Sequence, residues 1–381
     1  MTRRELLKRA ALAAPAVLRG RFLLFAQSPR AYSDRCIKLV GRSLVIDMLS
    51  QFKLGGFLDV LPQPGPRVTT WFSHPETFTP ADYERYRSSG ITAFQIGWGY
   101  GPNAYDDANT ILAAWNRFIA AHPKELVRID RAPFFAFAKR TGKIGIILGF
   151  QNAEHFRSVS DVDAFHVLGQ RVSQLTYNFG NAIGCGYEER PDTGLTAYGA
   201  SVVARMNQVG MAIDVSHCGD RTTSDALAAS TKPVVISHSN CRALNPHPRC
   251  KTDDQIRALA KNGGVMGISA VQMFVRAGGA ATLENVLDHF DHVAKLVGVE
   301  HVGIGSDSDL DGYDKLPPVL HRRMLAGYKE NAPARGDIPG LDHPQRVFDL
   351  TEGLIRRNYS DDAIELILGD NFRRALGSIW K

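Results

Sequence analysis

The sequence predicts an α/β fold, a (β/α)8 TIM barrel, and three observations carry that expectation. From residue 44 onward one pattern recurs eight times: a short apolar run, one or two polar residues, a loop and an amphipathic segment. The chain has 381 residues, enough for a barrel of about 250 residues with insertions. Two consecutive runs lead straight into Ser216-His217 and Ser237-His238, and parallel α/β folds place their chemistry at such strand ends. A doubly wound open sheet is the competing architecture, but no Gly-rich phosphate-binding turn follows the first run.

Taken in order, the chain opens with Arg3-Arg4 ahead of an apolar stretch at 10–18, the combination of a twin-arginine export signal to the periplasm. The stretch is too short to span a bilayer. Arg19 and Arg21 interrupt it, so a basic, frayed helix on a cytoplasmic protein is the alternative. Residues 1–35 are read as signal and linker, and 36–381 as one barrel domain. The eight strand candidates are 44–46, 92–96, 144–150, 171–177, 211–214, 234–236, 265–268 and 302–304, each apolar and bounded by polar residues. Helical composition lies between them at 80–88, 104–121, 131–141, 162–170, 198–208, 222–229, 253–261 and 283–296. Segments 55–79 and 309–344 are long Pro- and Gly-bearing insertions suited to lids or to a subunit contact, such as that of a homodimer.

Composition narrows the function classes. With 44% hydrophobic and 22% charged residues it is that of a soluble globular protein. The net charge is +6, yet Lys and Arg are scattered and no basic run is interleaved with aromatics, which argues against a nucleic-acid partner. Cys36, Cys185, Cys218, Cys241 and Cys250 show no C-x-x-C spacing, so buried free thiols are the plain reading. Three of them lie close in sequence to the histidines, which leaves a thiolate ligand or a single disulfide open.

In a closed barrel the carboxyl ends of the runs converge on one mouth. They bring Asp47, Trp98, Gln151, Tyr177 with Asn178, His217, His238, Ser269 and Asp307. Two neighbouring histidines suggest a metal; the alternative is that each imidazole bonds to backbone. Trp98 either walls the pocket or fills core. His289 and His292 stand three apart on an outer helix, where solvent exposure is expected, while Glu154 and His155 follow Gln151 closely enough to enter the mouth.

Around these histidines stand the motifs Gln174-Leu-Thr-Tyr-Asn178, Asn181, Asp192-Thr-Gly-Leu-Thr-Ala-Tyr-Gly199, Met206-Asn-Gln-Val-Gly210 and Asp214-Val-Ser-His217. They continue through Ser237-His-Ser239, His247-Pro-Arg249, Thr252-Asp253, Gly303-Ile-Gly-Ser-Asp307 and Leu368-Gly-Asp-Asn-Phe-Arg373, spanning nearly everything after residue 36. Together they carry a resemblance to the membrane (renal) dipeptidase family of metallopeptidases. It implies an amidohydrolase-type, metal-dependent hydrolase barrel with two zinc ions, one held by a His and an Asp of the first strand, the other by two histidines, and a bridging Glu after the third strand. By position His217 and His238 match the histidine pair. Arg249 matches the arginine that holds the substrate carboxylate, and Asp307 matches the acid that handles the proton of the attacking water. Tyr177 stands where family members carry a substrate-binding histidine, with Asn178 as a further substrate position.

Three positions depart from that pattern: Leu49 and Gln51 replace the first strand's His and Asp, and Gln151 replaces the bridging Glu. Two divalent ions side by side need anionic oxygens between them, which a neutral amide does not supply. The expectation is therefore one zinc or none, held by His217, His238 and Asp307 with a position open for water and Asp47 assisting. Arg249 either anchors a substrate carboxylate or pairs with Asp253 or Asp254. The leading reading is a hydrolase of dipeptides or related amides. The alternative is a catalytically inactive homologue repurposed for binding or maturation, and a lyase or isomerase on the same scaffold is a third.

Overall fold

The computed structural model describes residues 31–52, 71–97, 104–314 and 336–380, with the short runs 17–19 and 22–24 and positions 318 and 321. Eight strands form a parallel ring: β1 (Ile46–Phe52), β2 (Ala93–Ile96), β3 (Ile144–Phe150), β4 (Val172–Gln174), β5 (Ala212–Asp214), β6 (Val235–Ser239), β7 (Val265–Ile268) and β8 (Val302–Ile304). Each pairs with its sequence neighbours, and the Ile304–Asp47 pairing of β8 with β1 closes the ring. Helices separate the strands, as the eightfold repeat requires.

Local chemistry places those helices. Thr79, Thr196, Thr252 and Thr282 each accept a hydrogen bond from a backbone N–H in the first turn of the helix that follows, and three of the four close a reciprocal capping box. Such a cap stabilises a helix start by about 1 kcal/mol. The period-2 alternation then sorts the apolar side chains. In β3, Ile144, Ile146, Leu148 and Phe150 pack beneath the helices, whereas Ile147 joins Ile46, Ala93, Val172, Ala212, Val235 and Val265 from the other strands. This second cluster also contains Phe372, Leu376 and Ile379, so the helix Asn371–Ile379 seals one end of the barrel.

The structure adds elements that the run-by-run reading omits. Leu126–Arg128 pairs in parallel with β3, and Ser308–Asp309 with β1. Val17–Arg19, Phe22–Leu24 and Ala31–Ser33 make a small antiparallel sheet. Tyr32 is buried, donates to Asp349 at 2.7 Å and packs on Phe348, so the packed unit already includes residues ahead of position 36. β1 is longer than expected and runs through Asp47, Leu49 and Gln51, while the helix Asp34–Arg42 precedes it. The polar residues that seemed to end this run are satisfied inside the strand instead. β4, by contrast, stops at Gln174, three residues before Tyr177. Paired Arg3-Arg4 and Trp98 lie outside the described residues. No helix among the described residues is long and apolar enough to cross a membrane.

Candidate active site

Two imidazoles organise the mouth. His217 leaves the end of β5 and His238 sits within β6, and their Nε2 atoms face each other at 3.0 Å. The other ring nitrogens settle what those atoms carry. His217 Nδ1 lies 2.8 Å from Asn178 Oδ1, and Asn178 Nδ2 donates to Glu188 Oε1 at 3.0 Å. A carboxylate only accepts, so the amide turns its nitrogen to Glu188 and its oxygen to His217, which must donate from Nδ1. Ser237 Oγ gives its single proton to Asp214 and therefore accepts from His238 Nδ1 at 2.8 Å. Both Nε2 atoms thus present lone pairs to one point. Burial, followed by the nearby charge of Arg249, holds both imidazoles well below the usual histidine range, the neutral form that ligates metals.

Asp307 and Arg249 complete this side. Asp307 follows β8 with a φ of 52°, and its N–H donates to Leu49 O at 2.8 Å. Its carboxylate accepts from Gln51 Nε2 at 3.4 Å and stands 4.0 Å from His238 Nε2. Burial pushes its pKa up to about 6, against the pull of Arg249. Arg249 is 1% exposed, and its guanidinium donates to the carbonyls of Ser216 and His238 and to Ser239 Oγ. Neither Asp253 nor Asp254 is its partner: Asp253 pairs with His292 and Asp254 with Arg257. Its Nε–H has no partner among the described residues. A buried guanidinium N–H without a partner is a donor that is costly to leave unmet.

The opposite side of the mouth is neutral. Leu49 is fully buried, and a Cβ placed on Gly97 would lie 2.5 Å from Leu49 Cδ1 and 2.8 Å from Gln151 Cγ. The missing side chain at Gly97 is what lets Leu49 and Gln151 approach. Asp47 is buried and bonded to Arg346 at 3.1 Å and to the Ser306 N–H at 2.8 Å, so it serves β1 and the helix Arg346–Arg356. Tyr177 stacks on His217 with centroids 4.3 Å apart and is 38% exposed at the rim. Asn178, read from the sequence as a substrate contact, spends its amide on His217 and Glu188. Ser269 caps a turn by accepting from the Val271 N–H.

The other three histidines that the sequence singled out have structural partners. His289 is 1% exposed, contrary to the expectation of solvent exposure, because it ties the Cys241 N–H and the Val275 carbonyl between β6 and its neighbours. His292 is half-buried against Asp253. His155 is buried among Phe150, Phe156 and Phe165 with Gln170 as partner, away from the mouth, while Glu154 is exposed. All five cysteines are free and buried. Sequence reading assigned no role to Glu188, Ser237, Asp214 or Arg346. Ser237 and Asp214 lie inside the histidine motifs, whereas nothing in the sequence links Glu188 to His217.

Residues 79–322 match the family profile described as Membrane dipeptidase (Peptidase family M19). The chain belongs to the membrane dipeptidase family. An uncharacterized dipeptidase of Schizosaccharomyces pombe is 32% identical over 274 residues, which cover 70% of this chain and 59% of that protein. The solved structure of an amidohydrolase from Pseudomonas aeruginosa superposes with a TM-score of 0.75 at 28% identity, covering 91% of this chain and 99% of that one. A metallo peptidase from Rhodobacter sphaeroides, solved with a phosphinate mimic of L-Ala-D-Ala, shares the fold with a TM-score of 0.69 at 21% identity, covering 89% of this chain and 100% of that one. Membrane dipeptidases are zinc-dependent metallopeptidases of amidohydrolase-like fold, so the donors present can be tested against an ion. Two nitrogens on one tetrahedral zinc stand about 3.3 Å apart, and the two Nε2 atoms here are 3.0 Å apart with both lone pairs turned inward. That half of the site fits an ion. The Leu49 and Gln151 half offers a methyl-tipped side chain and an amide, and no group of three or more His, Cys, Asp or Glu is arranged as a metal cluster among the described residues.

Proposed function

We propose that the chain is a hydrolase of dipeptides or related amides that works with a single zinc ion held by His217 and His238. The observation that carries this reading is the pair of Nε2 lone pairs converging at 3.0 Å. A site built to bind an anion without metal would turn N–H groups to that point. Bound there, the ion would polarise the scissile carbonyl and acidify a water. The protein's own residues supply the rest. The spare Nε–H edge of Arg249 fixes the substrate carboxylate, selecting molecules with a free carboxyl group. Asp307 takes a proton from the attacking water as its oxygen bonds to the carbonyl carbon, and returns that proton to the nitrogen as the C–N bond breaks. Its raised pKa suits both transfers. Tyr177 walls the rim beside His217.

One observation favours the second reading, a binding or maturation protein that has lost catalysis: Leu49 and Gln151, which the resemblance aligns with ligands of a second ion, pack as neutral side chains against Gly97. Elemental analysis of protein purified without chelators, joined to a dipeptide hydrolysis screen, separates the two. Close to one zinc per chain, lost in His238→Ala together with hydrolysis, is the expected result. No zinc and no hydrolysis would leave the binding role. We also propose export through the N-terminal paired arginines, tested by cell fractionation of wild type against Arg3→Lys/Arg4→Lys; unchanged distribution would overturn it.

A further inference from the structure

Each of the two imidazoles is backed by a carboxylate at one remove, but the two supports are built differently. His238 leans on Ser237 and Asp214, all buried within the barrel wall. His217 leans on Asn178 and Glu188, which belong to the loop after β4 and are half-buried. That loop folds back on itself. Glu188 N donates to Asn178 O at 2.8 Å, and Tyr187 N donates to His217 O at 2.9 Å. Gly186 lies where the two limbs touch: a Cβ there would stand 2.2 Å from Tyr177 O and 2.3 Å from the Asn178 carbonyl carbon, so any other residue would drive the limbs apart. Tyr187 Oη donates to the same Glu188 Oε1 at 2.8 Å, which anchors the carboxylate that Asn178 reads.

An asparagine amide on its own can face a histidine with either end. With its oxygen inward it takes the proton from Nδ1 and leaves Nε2 bare; with its nitrogen inward it forces the proton onto Nε2 and blocks ligation. Only an acceptor behind the amide breaks that symmetry, and Glu188 is the acceptor present. We propose that Glu188 is a positioning residue which, acting through Asn178, sets the tautomer of His217 and keeps its Nε2 free to bind the ion. This rests on the single-ion reading for its purpose, but the tautomer is a property of the metal-free protein and can be measured without it.

The test compares wild type, Glu188→Gln and Glu188→Asp. Glutamine keeps the shape but can donate as well as accept, so the Asn178 amide becomes free to turn over; aspartate keeps the acceptor. Nitrogen-15 imidazole spectra of the metal-free proteins are expected to show His217 protonated on Nδ1 in wild type and in Glu188→Asp, and an Nε2-protonated population in Glu188→Gln. His238 should keep its proton on Nδ1 in all three, held by Ser237, while its Nε2 signal shifts only where His217 donates to it across the 3.0 Å gap. Zinc affinity, read by competition with a chromophoric chelator, is expected to fall about 10–100-fold in Glu188→Gln and to survive in Glu188→Asp. An Nε2-protonated His217 in wild type overturns the proposal even if a variant fails to fold. So does a Glu188→Gln protein with unaltered His217 tautomer, or a Glu188→Asp protein that loses zinc as severely as Glu188→Gln. If wild type binds no zinc while the tautomer still follows residue 188, the positioning role stands and the single-ion reading falls.

Discussion

The two sides of the barrel mouth obey different chemistry although the same architecture builds both. At the ends of β5, β6 and β8 stand His217, His238 and Asp307, with Arg249 from the loop after β6, every one held by named hydrogen bonds in a buried setting. At the ends of β1 and β3 stand Leu49 and Gln151, packed together over Gly97, with Asp47 withdrawn into an ion pair with Arg346. The charged side is expensive to bury and keeps its hydrogen-bond frame; the neutral side packs as ordinary core does. A barrel can therefore carry a charged and a neutral side on one mouth, because the ring's pairing does not depend on which side chains face it.

The sharpest way to break this comparison is to neutralise the charged side. Asp307→Asn should lower kcat by about 10²–10⁴-fold, the usual worth of a positioned proton acceptor. The pH profile should change with it. The acid must be ionised to accept a proton, so in wild type the rate falls as pH drops through about 6, and that limb should vanish from the residual activity of the variant. An unchanged acid limb would mean that another group is titrating. Arg249→Lys keeps the charge but loses the planar fork; KM for carboxylate-bearing substrates should rise about 10–100-fold, with a smaller effect on their amidated counterparts. Equal losses on both would sink the carboxylate assignment. The smallest effect is expected from rebuilding the neutral side. Leu49→His with Gln51→Asp and Gln151→Glu should move zinc content from one ion per chain towards two, and a content fixed at one would show that these three positions do not face a common ion.

Much of this was legible in the sequence. The runs at 144–150, 265–268 and 302–304 coincide with strands, since each is an uninterrupted apolar stretch that a ring buried on both faces requires. The histidines were legible because a motif at a strand end has one place to go. What stayed hidden was joined by space alone. Asp47 was expected at a strand end with a free carboxylate, but its partner Arg346 is supplied from a helix 299 residues away. Glu188 sits in a loop without periodicity, and only the folded hairpin around Gly186 brings it to Asn178. His289 looked like an exposed helix residue because a 3.6-residue period identifies a face without telling what that face touches.

Ring closure between β8 and β1 has a consequence for how the chain is made. β1 is synthesised early, yet the strand that completes it and the arginine that neutralises its buried Asp47 come from the other end of the barrel, Arg346 lying 299 residues downstream. At ribosomal speeds of about 5–20 residues per second that interval is roughly 15–60 s. The closing edge of β1 stays unpaired until Ile304 is made, and Asp47 stays without its counter-charge for the whole interval. The helices beyond β8 are fasteners rather than ornament: Tyr32 and Arg42, ahead of β1, are clasped by Asp349 and Glu365 from the far side of the barrel. Until β8 and the helix Arg346–Arg356 are made, the closing edge of β1 and the carboxylate of Asp47 have no intramolecular partner, and their synthesis ends that exposure.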